Sequence, residues 1–91
     1  VQNIVKEYAT NVYPNPFNPV TNIRFALRVG TNVEIKVYDL LGKEVAILVN
    51  EFKTKGIHSV KFDAGNLASG IYFYTIRAGE FSETKKLLLV R

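Results

Sequence analysis

The residues from which a histidine-based catalytic triad could be assembled are few: one histidine (His58), three serines (Ser59, Ser69, Ser82) and, as the carboxylates considered, two aspartates (Asp39, Asp63), with no cysteine. A hydrolase would need His58 as general base beside a serine nucleophile, with a carboxylate orienting the ring. The neighbours of these residues argue otherwise. His58 alternates with Val60 and Phe62 on one side of an extended stretch, where a hydrogen-bonded imidazole within the core is the plain expectation. Asp39 opens the turn Asp39-Leu40-Leu41-Gly42, and Asp63 ends its strand, so both carboxylates have conformational work. No nucleophile elbow, phosphate-cradling glycine loop, zinc spacing or calcium loop is present. No enzyme, metal or cofactor is therefore expected.

Binding chemistry offers two further candidates. The net charge is +4, yet the twelve basic residues are spread over the whole chain and interleaved with eight acids, which fits solvated sheet faces better than a nucleic-acid stripe. Tyr72, Phe73 and Tyr74 followed by Arg77 would suit base stacking, but consecutive aromatics in a strand place one set in the core and the other partly covered. No nucleic-acid partner is expected. The second candidate is Tyr13-Pro14-Asn15-Pro16-Phe17-Asn18-Pro19, which holds all three prolines. A polyproline ligand for an SH3-like groove is one reading. A stiff extended lead-in whose Phe17 caps the core is the reading favoured by the strand pattern directly after it.

The elements that must position these residues are strands. Thr21 to Leu27 puts Ile23, Phe25 and Leu27 on one side; Asn32 to Tyr38 does the same for Val33, Ile35 and Val37. Asp39 and Gly42 form a type I turn closed by a residue of positive φ, and Glu44 to Asn50 returns. Its run Val45-Ala46-Ile47-Leu48-Val49 does not choose a face by period; Val45 and Ile47 are expected inside. Glu51 to Lys55 reads as a connection. Strands follow over Gly56 to Asp63, Gly70 to Arg77 and Phe81 to Val90, with an edge strand near Asn11 to Tyr13. Short strands at this spacing without a helical period imply an all-β fold, a seven-stranded antiparallel immunoglobulin-like β-sandwich. At 91 residues it is one domain, large enough to bury roughly 60–65% of its unfolded surface. Residues 1–10 read as a linker or the tail of a preceding domain, with the sandwich over 11–91. A chain opening Val1-Gln2-Asn3 without methionine is expected to be either processed or cut from a longer protein, and no apolar run approaches the ~20 residues of a membrane span.

From about residue 8 to residue 91 the sequence resembles the type A C-terminal sorting domain of the type IX (Por) secretion system of Gram-negative bacteria. The resemblance rests on Tyr13 to Pro19, Thr21 to Phe25, Val37 to Val45, Gly56-Ile57-His58, Leu67 to Tyr74 and the basic-then-apolar end Thr84 to Arg91, in order. It implies a non-catalytic domain, C-terminal in an exported protein. Such a domain follows an upstream cargo domain that reaches the periplasm by the Sec route, guides it through an outer-membrane translocon, and meets a sortase-like surface protease before surface attachment or release. The glycine–tyrosine motif of the family falls on Gly70 and Tyr72, and its lysine motif on Lys85 and Lys86; Arg91 stands where lysine is common. Val29 departs from the family, which often has proline there. Pro14, Pro16, Phe17, Pro19, Asp39, Gly42, Gly56 and His58, with Gly70 and Tyr72, are then motif residues with structural roles. Lys85, Lys86, Leu87, Leu88, Leu89, Val90 and Arg91 are the candidate recognition segment. Without a protective helix after it, that strand is expected to leave a sheet edge open to strand addition by a receptor. The competing reading is a structural or carbohydrate-binding immunoglobulin-like module, for which Phe81 with either Tyr38 or Phe73 would be the outward rings.

Overall fold

The computed structural model describes residues 9–91 as seven antiparallel strands in two packed sheets. They are β1 (Ala9–Tyr13), β2 (Val20–Leu27), β3 (Thr31–Asp39), β4 (Glu44–Lys53), β5 (Gly56–Asp63), β6 (Gly70–Ala78) and β7 (Phe81–Leu89). One sheet has the order β1-β2-β5 and the other β4-β3-β6-β7. In the constant-type immunoglobulin arrangement the fourth strand would join the first sheet. Here β4 stays hydrogen-bonded to β3 as the second arm of a hairpin, which leaves β4 and β5 as facing edges on one flank and β1 and β7 on the other.

The hairpin follows from its turn residues. Gly42 has φ of 89° and donates its N–H to the Asp39 carbonyl at 3.0 Å, while Asp39 Oδ1 accepts the N–H groups of Leu41 and Lys43, each at 2.9 Å. A side-chain acceptor at the first turn position and a glycine free of a Cβ penalty at the last are the expected solution.

The core is made where the two inner faces meet. Ile23, Phe25, Leu27 and Phe62 from the first sheet interdigitate with Val33, Ile35, Val37, Tyr72, Tyr74, Ile76, Leu87 and Leu89 from the second. Phe17 joins them, 2% exposed, its ring tilted against Phe62 with centroids 5.8 Å apart. The expected cap on the core is therefore present.

Three expectations change. Ile47 lies outside, 53% exposed, whereas Val45 and Leu48 are half-buried against the core with Val49 fully buried. The cause is two irregularities in the β3–β4 ladder: Ile35 opposes Val49 but Lys36 opposes Ile47, and Val37 opposes Ala46 but Tyr38 opposes Glu44. Leu48 and Val45 are thus extra residues, and each resets which neighbours face inward. Second, β4 runs to Lys53 because Glu51, Phe52 and Lys53 pair with Val33, Asn32 and Thr31. Third, the sandwich starts before residue 11. Ala9 and Thr10 pair with Ala26 and Phe25, so the last two residues of the stretch read as a linker belong to β1; the rest of that stretch lies outside the described residues.

Thr10 shows why the ladder reaches so far back. Its hydroxyl donates to the Arg24 carbonyl at 2.8 Å and lies 2.9 Å from the Tyr74 hydroxyl across the core. With the threonine proton committed to the carbonyl, Tyr74 donates its own to Thr10 Oγ1, and both buried hydroxyls are satisfied. Burial first of all, with the distant Glu83 carboxylate, holds the Tyr74 phenol above its ordinary range despite the opposing Thr10 bond.

Candidate sorting surface

Strand β7 and the proline segment form one corner of the molecule. Pairing with β6 sets the alternation: Leu87 and Leu89, opposite Tyr72 and Gly70, enter the core, and Lys86, Leu88 and Val90 stay outside. Lys85 lies on the inner-facing row opposite Tyr74, half-buried, its ammonium 3.5 Å from Glu83 two residues back. A charged pair turned inward at the margin of a sheet is a common way of discouraging edge pairing.

The edge itself is not open along residues 86–90. Phe17 donates its N–H to the Leu88 carbonyl at 3.0 Å and accepts from Val90 N–H at 2.9 Å, a one-residue parallel bridge to Leu89. Asn15 continues the pairing with its side chain: Nδ2 donates to the Lys86 carbonyl at 3.0 Å and Oδ1 accepts from Leu88 N–H at 2.9 Å. An amide side chain presents the same donor and acceptor as a peptide unit, so Asn15 acts as one strand residue. The exposed edge expected for this strand is thus covered, because residues 14–19 cross from the first sheet to the second and lie along it. Thr21 Oγ1 secures the segment by donating to the Pro14 carbonyl at 2.6 Å, and Pro19 accepts from Ala64 N–H at 2.9 Å. Pro16, exposed, sits between the two pairing residues and needs no ladder partner of its own.

Arg91 is fastened from the other side. Its Nη1 donates to the carbonyls of Ala64 at 3.1 Å and Leu67 at 3.2 Å, and its backbone N–H donates to Ser69 Oγ at 3.1 Å. It ties the segment after β7 to the β5–β6 connection and is not a free surface charge. Asp63 shapes the start of that connection by accepting Gly65 N–H at 2.9 Å. Tyr72 shapes its end: the buried ring points its hydroxyl to the Ala68 carbonyl at 2.6 Å, a bond back to the chain four residues upstream that resembles the tyrosine corner of immunoglobulin-like sandwiches. Gly70, with φ of 149°, turns the chain into β6 between them. The glycine–tyrosine pair is therefore a lock on this loop.

His58 stacks on Phe25 at 5.3 Å and directs Nε2 to the Thr54 carbonyl at 2.7 Å, so Nε2 carries the proton and the imidazole is held as a structural group. Gly56, at the head of its strand, has φ of 123°. Among the described residues no three or more His, Asp or Glu side chains gather as a metal-binding group, and no helix is long and apolar enough to cross a membrane. The outward rings expected of a sugar platform are rearranged. Tyr38 and Phe73 are neighbours across β3 and β6 on the outer face, both half-buried, while Phe81 faces inward opposite Ala78 and packs on the core. Val29 lies exposed between β2 and β3. Asn15, Thr10 and Thr21 are the residues sequence reasoning missed; only the asparagine between prolines was visible, and nothing local indicates its partner more than seventy residues away.

Residues 11–90 match the family described as the secretion system C-terminal sorting domain. A search of curated proteins found no match. Among solved structures the chain is similar to part of PorZ, an essential bacterial surface component of the type-IX secretion system of human oral-microbiomic Porphyromonas gingivalis. That likeness has 20% identity and a TM-score of 0.64, and it covers 90% of this chain and 11% of PorZ. It is also similar to part of dimeric latent PorU from Porphyromonas gingivalis, with 18% identity and a TM-score of 0.68 over 94% of this chain and 10% of that one. The chain spans about a tenth of the length of these two solved proteins. At these identities the two structures establish the sandwich, and the family match carries the role, which is that of a non-catalytic signal engaging secretion machinery on a protein destined for secretion or surface attachment. With the motif residues built into the loops and edges of one sandwich, the chain belongs to the family of secretion system C-terminal sorting domains and is a sorting signal for type IX secretion.

Proposed function

We propose that this domain addresses an upstream cargo domain to an outer-membrane type IX translocon after passage through the periplasm of a Gram-negative bacterium. A sortase-like surface protease then acts on the delivered protein. The residues ahead of β1 serve as the link to the cargo. The observation that carries the reading to particular residues is the alternation along β7. Of the segment Lys85 to Arg91, Leu87 and Leu89 fill the core, Lys85 is held by Glu83 and Arg91 by the loop, which leaves Lys86, Leu88 and Val90 for a receptor. Pro14, Pro16, Phe17, Pro19, Asp39, Gly42, Gly56, His58, Gly70 and Tyr72 act on the signal by holding its shape.

The test fuses the whole chain behind a Sec signal and a neutral reporter in a type IX host. Delivery of the folded reporter outside the cell is expected, and replacing Lys86, Leu88 and Val90 together is expected to reduce it at least ~10-fold while the domain stays folded. Periplasmic retention of the folded wild-type fusion refutes the reading.

A further inference from the structure

The covered edge limits how the signal can be read. In β7 the residues of even number turn their backbone groups away from β6, and the four groups from Lys86 O to Val90 N are all engaged by Asn15 and Phe17. Ser82 and Thr84, of the same parity on the same edge, have no such partner among the described residues. Among the described residues one half of the edge is closed and the other has no backbone partner, and the closed half is the candidate signal. The cover is anchored, with the Phe17 ring in the core against Phe62 and Pro14 and Pro19 bonded to Thr21 and Ala64. Peeling it back would expose the Phe17 ring to water and exchange four protein hydrogen bonds for bonds to water, the ring carrying most of the cost.

We propose that the Asn15–Phe17 segment is a permanent edge guard, so that a receptor reads the outward side chains Lys86, Leu88 and Val90 of a closed strand and adds no strand of its own there. This rests on the sorting reading above. Leu88 and Val90 are 38% and 48% exposed, and Leu88 stands beside half-buried Ile71 across the ladder. Glu83 is engaged by Lys85, and Glu34 and Glu44 by Lys36, so Lys86 has no carboxylate within ion-pair distance among the described residues. The partner surface complementary to this row is a protein recess that takes two aliphatic side chains and offers a carboxylate at its rim.

Two readouts test this on the full chain. Amide hydrogen exchange is expected to show Leu88 and Val90 protected at least ~100-fold more than Thr84. Asn15→Ala should release Leu88, whereas Asn15→Asp, which keeps the acceptor, should leave Leu88 protected. In the fused reporter, Asn15→Ala should leave delivery within about twofold of wild type or lower it, and Lys86→Gln with Leu88→Ser and Val90→Ser should lower it at least ~10-fold with β7 amides still protected. Wild-type Leu88 and Val90 exchanging as fast as Thr84 overturns the closed edge. A several-fold gain in delivery on opening the edge, or normal delivery by the outward triple variant, overturns the side-chain mode. Failure of the wild-type fusion to be delivered removes the sorting reading and the receptor half with it, while exchange still decides whether the edge is closed.

Discussion

Tyr72 is the sharpest test of whether the glycine–tyrosine motif is read by a receptor or holds the fold. Its ring is 7% exposed, and its hydroxyl is spent on the Ala68 carbonyl at 2.6 Å. Tyr72→Phe keeps the ring and orphans that carbonyl, at a cost of about 1–2 kcal/mol. Tyr72→Ala adds the loss of a buried aromatic, about 3–5 kcal/mol in all. A domain of this size loses roughly 5 °C of Tm per kcal/mol, so the two variants should melt roughly 5–10 °C and 15–25 °C below wild type. Differential scanning calorimetry of the chain measures both, and reporter delivery is assayed at a temperature where Tyr72→Phe is still folded. Unchanged delivery by folded Tyr72→Phe is expected. A Tyr72→Phe variant that melts with wild type would refute the lock, and one that is folded but not delivered would show that the hydroxyl is read directly.

Three other outcomes follow from the contacts. Arg91→Gln should destabilise by about 1 kcal/mol because the guanidinium leaves two loop carbonyls, one of them well solvated, whereas Lys86→Gln should stay within about 0.5 kcal/mol; equal effects in urea titration would remove the Arg91 anchor. On β4, Ile47→Thr should be nearly neutral, within about 0.5 kcal/mol, and Val49→Ala should cost about 1–2.5 kcal/mol; the reverse order would show that the two irregularities in the β3–β4 ladder are absent in solution. Tyr74, with its folded pKa raised by burial, binds its proton more tightly in the folded chain. Its contribution is fully present below the unfolded value of about 10 and is lost as pH rises through the folded one. Stability should therefore fall above about pH 10, and Tyr74→Phe, though weaker at neutral pH, should flatten that fall; an unchanged alkaline slope in Tyr74→Phe counts against the assignment.

What the sequence determined by itself was local. Period-2 alternation placed Ile23, Phe25 and Leu27, and Val33, Ile35 and Val37, on inner faces, and Asp39 with Gly42 defined a hairpin, because side-chain direction along a strand and turn chemistry depend on adjacent residues. The motif residues were visible as types in order, and their family with them. Tertiary structure decided the rest. Ile47 went outside because β3 imposed two extra residues on β4, and a one-residue shift of register exchanges faces wherever it occurs. Asn15 became a surrogate strand residue only where β7 offered it the Lys86 carbonyl and the Leu88 N–H, and Arg91 became an anchor only where the β5–β6 connection turned two carbonyls toward it. Those bonds join residues from 24 to 73 positions apart, beyond the reach of any local pattern, and their consequence is that the edge of β7 is covered from Lys86 to Val90.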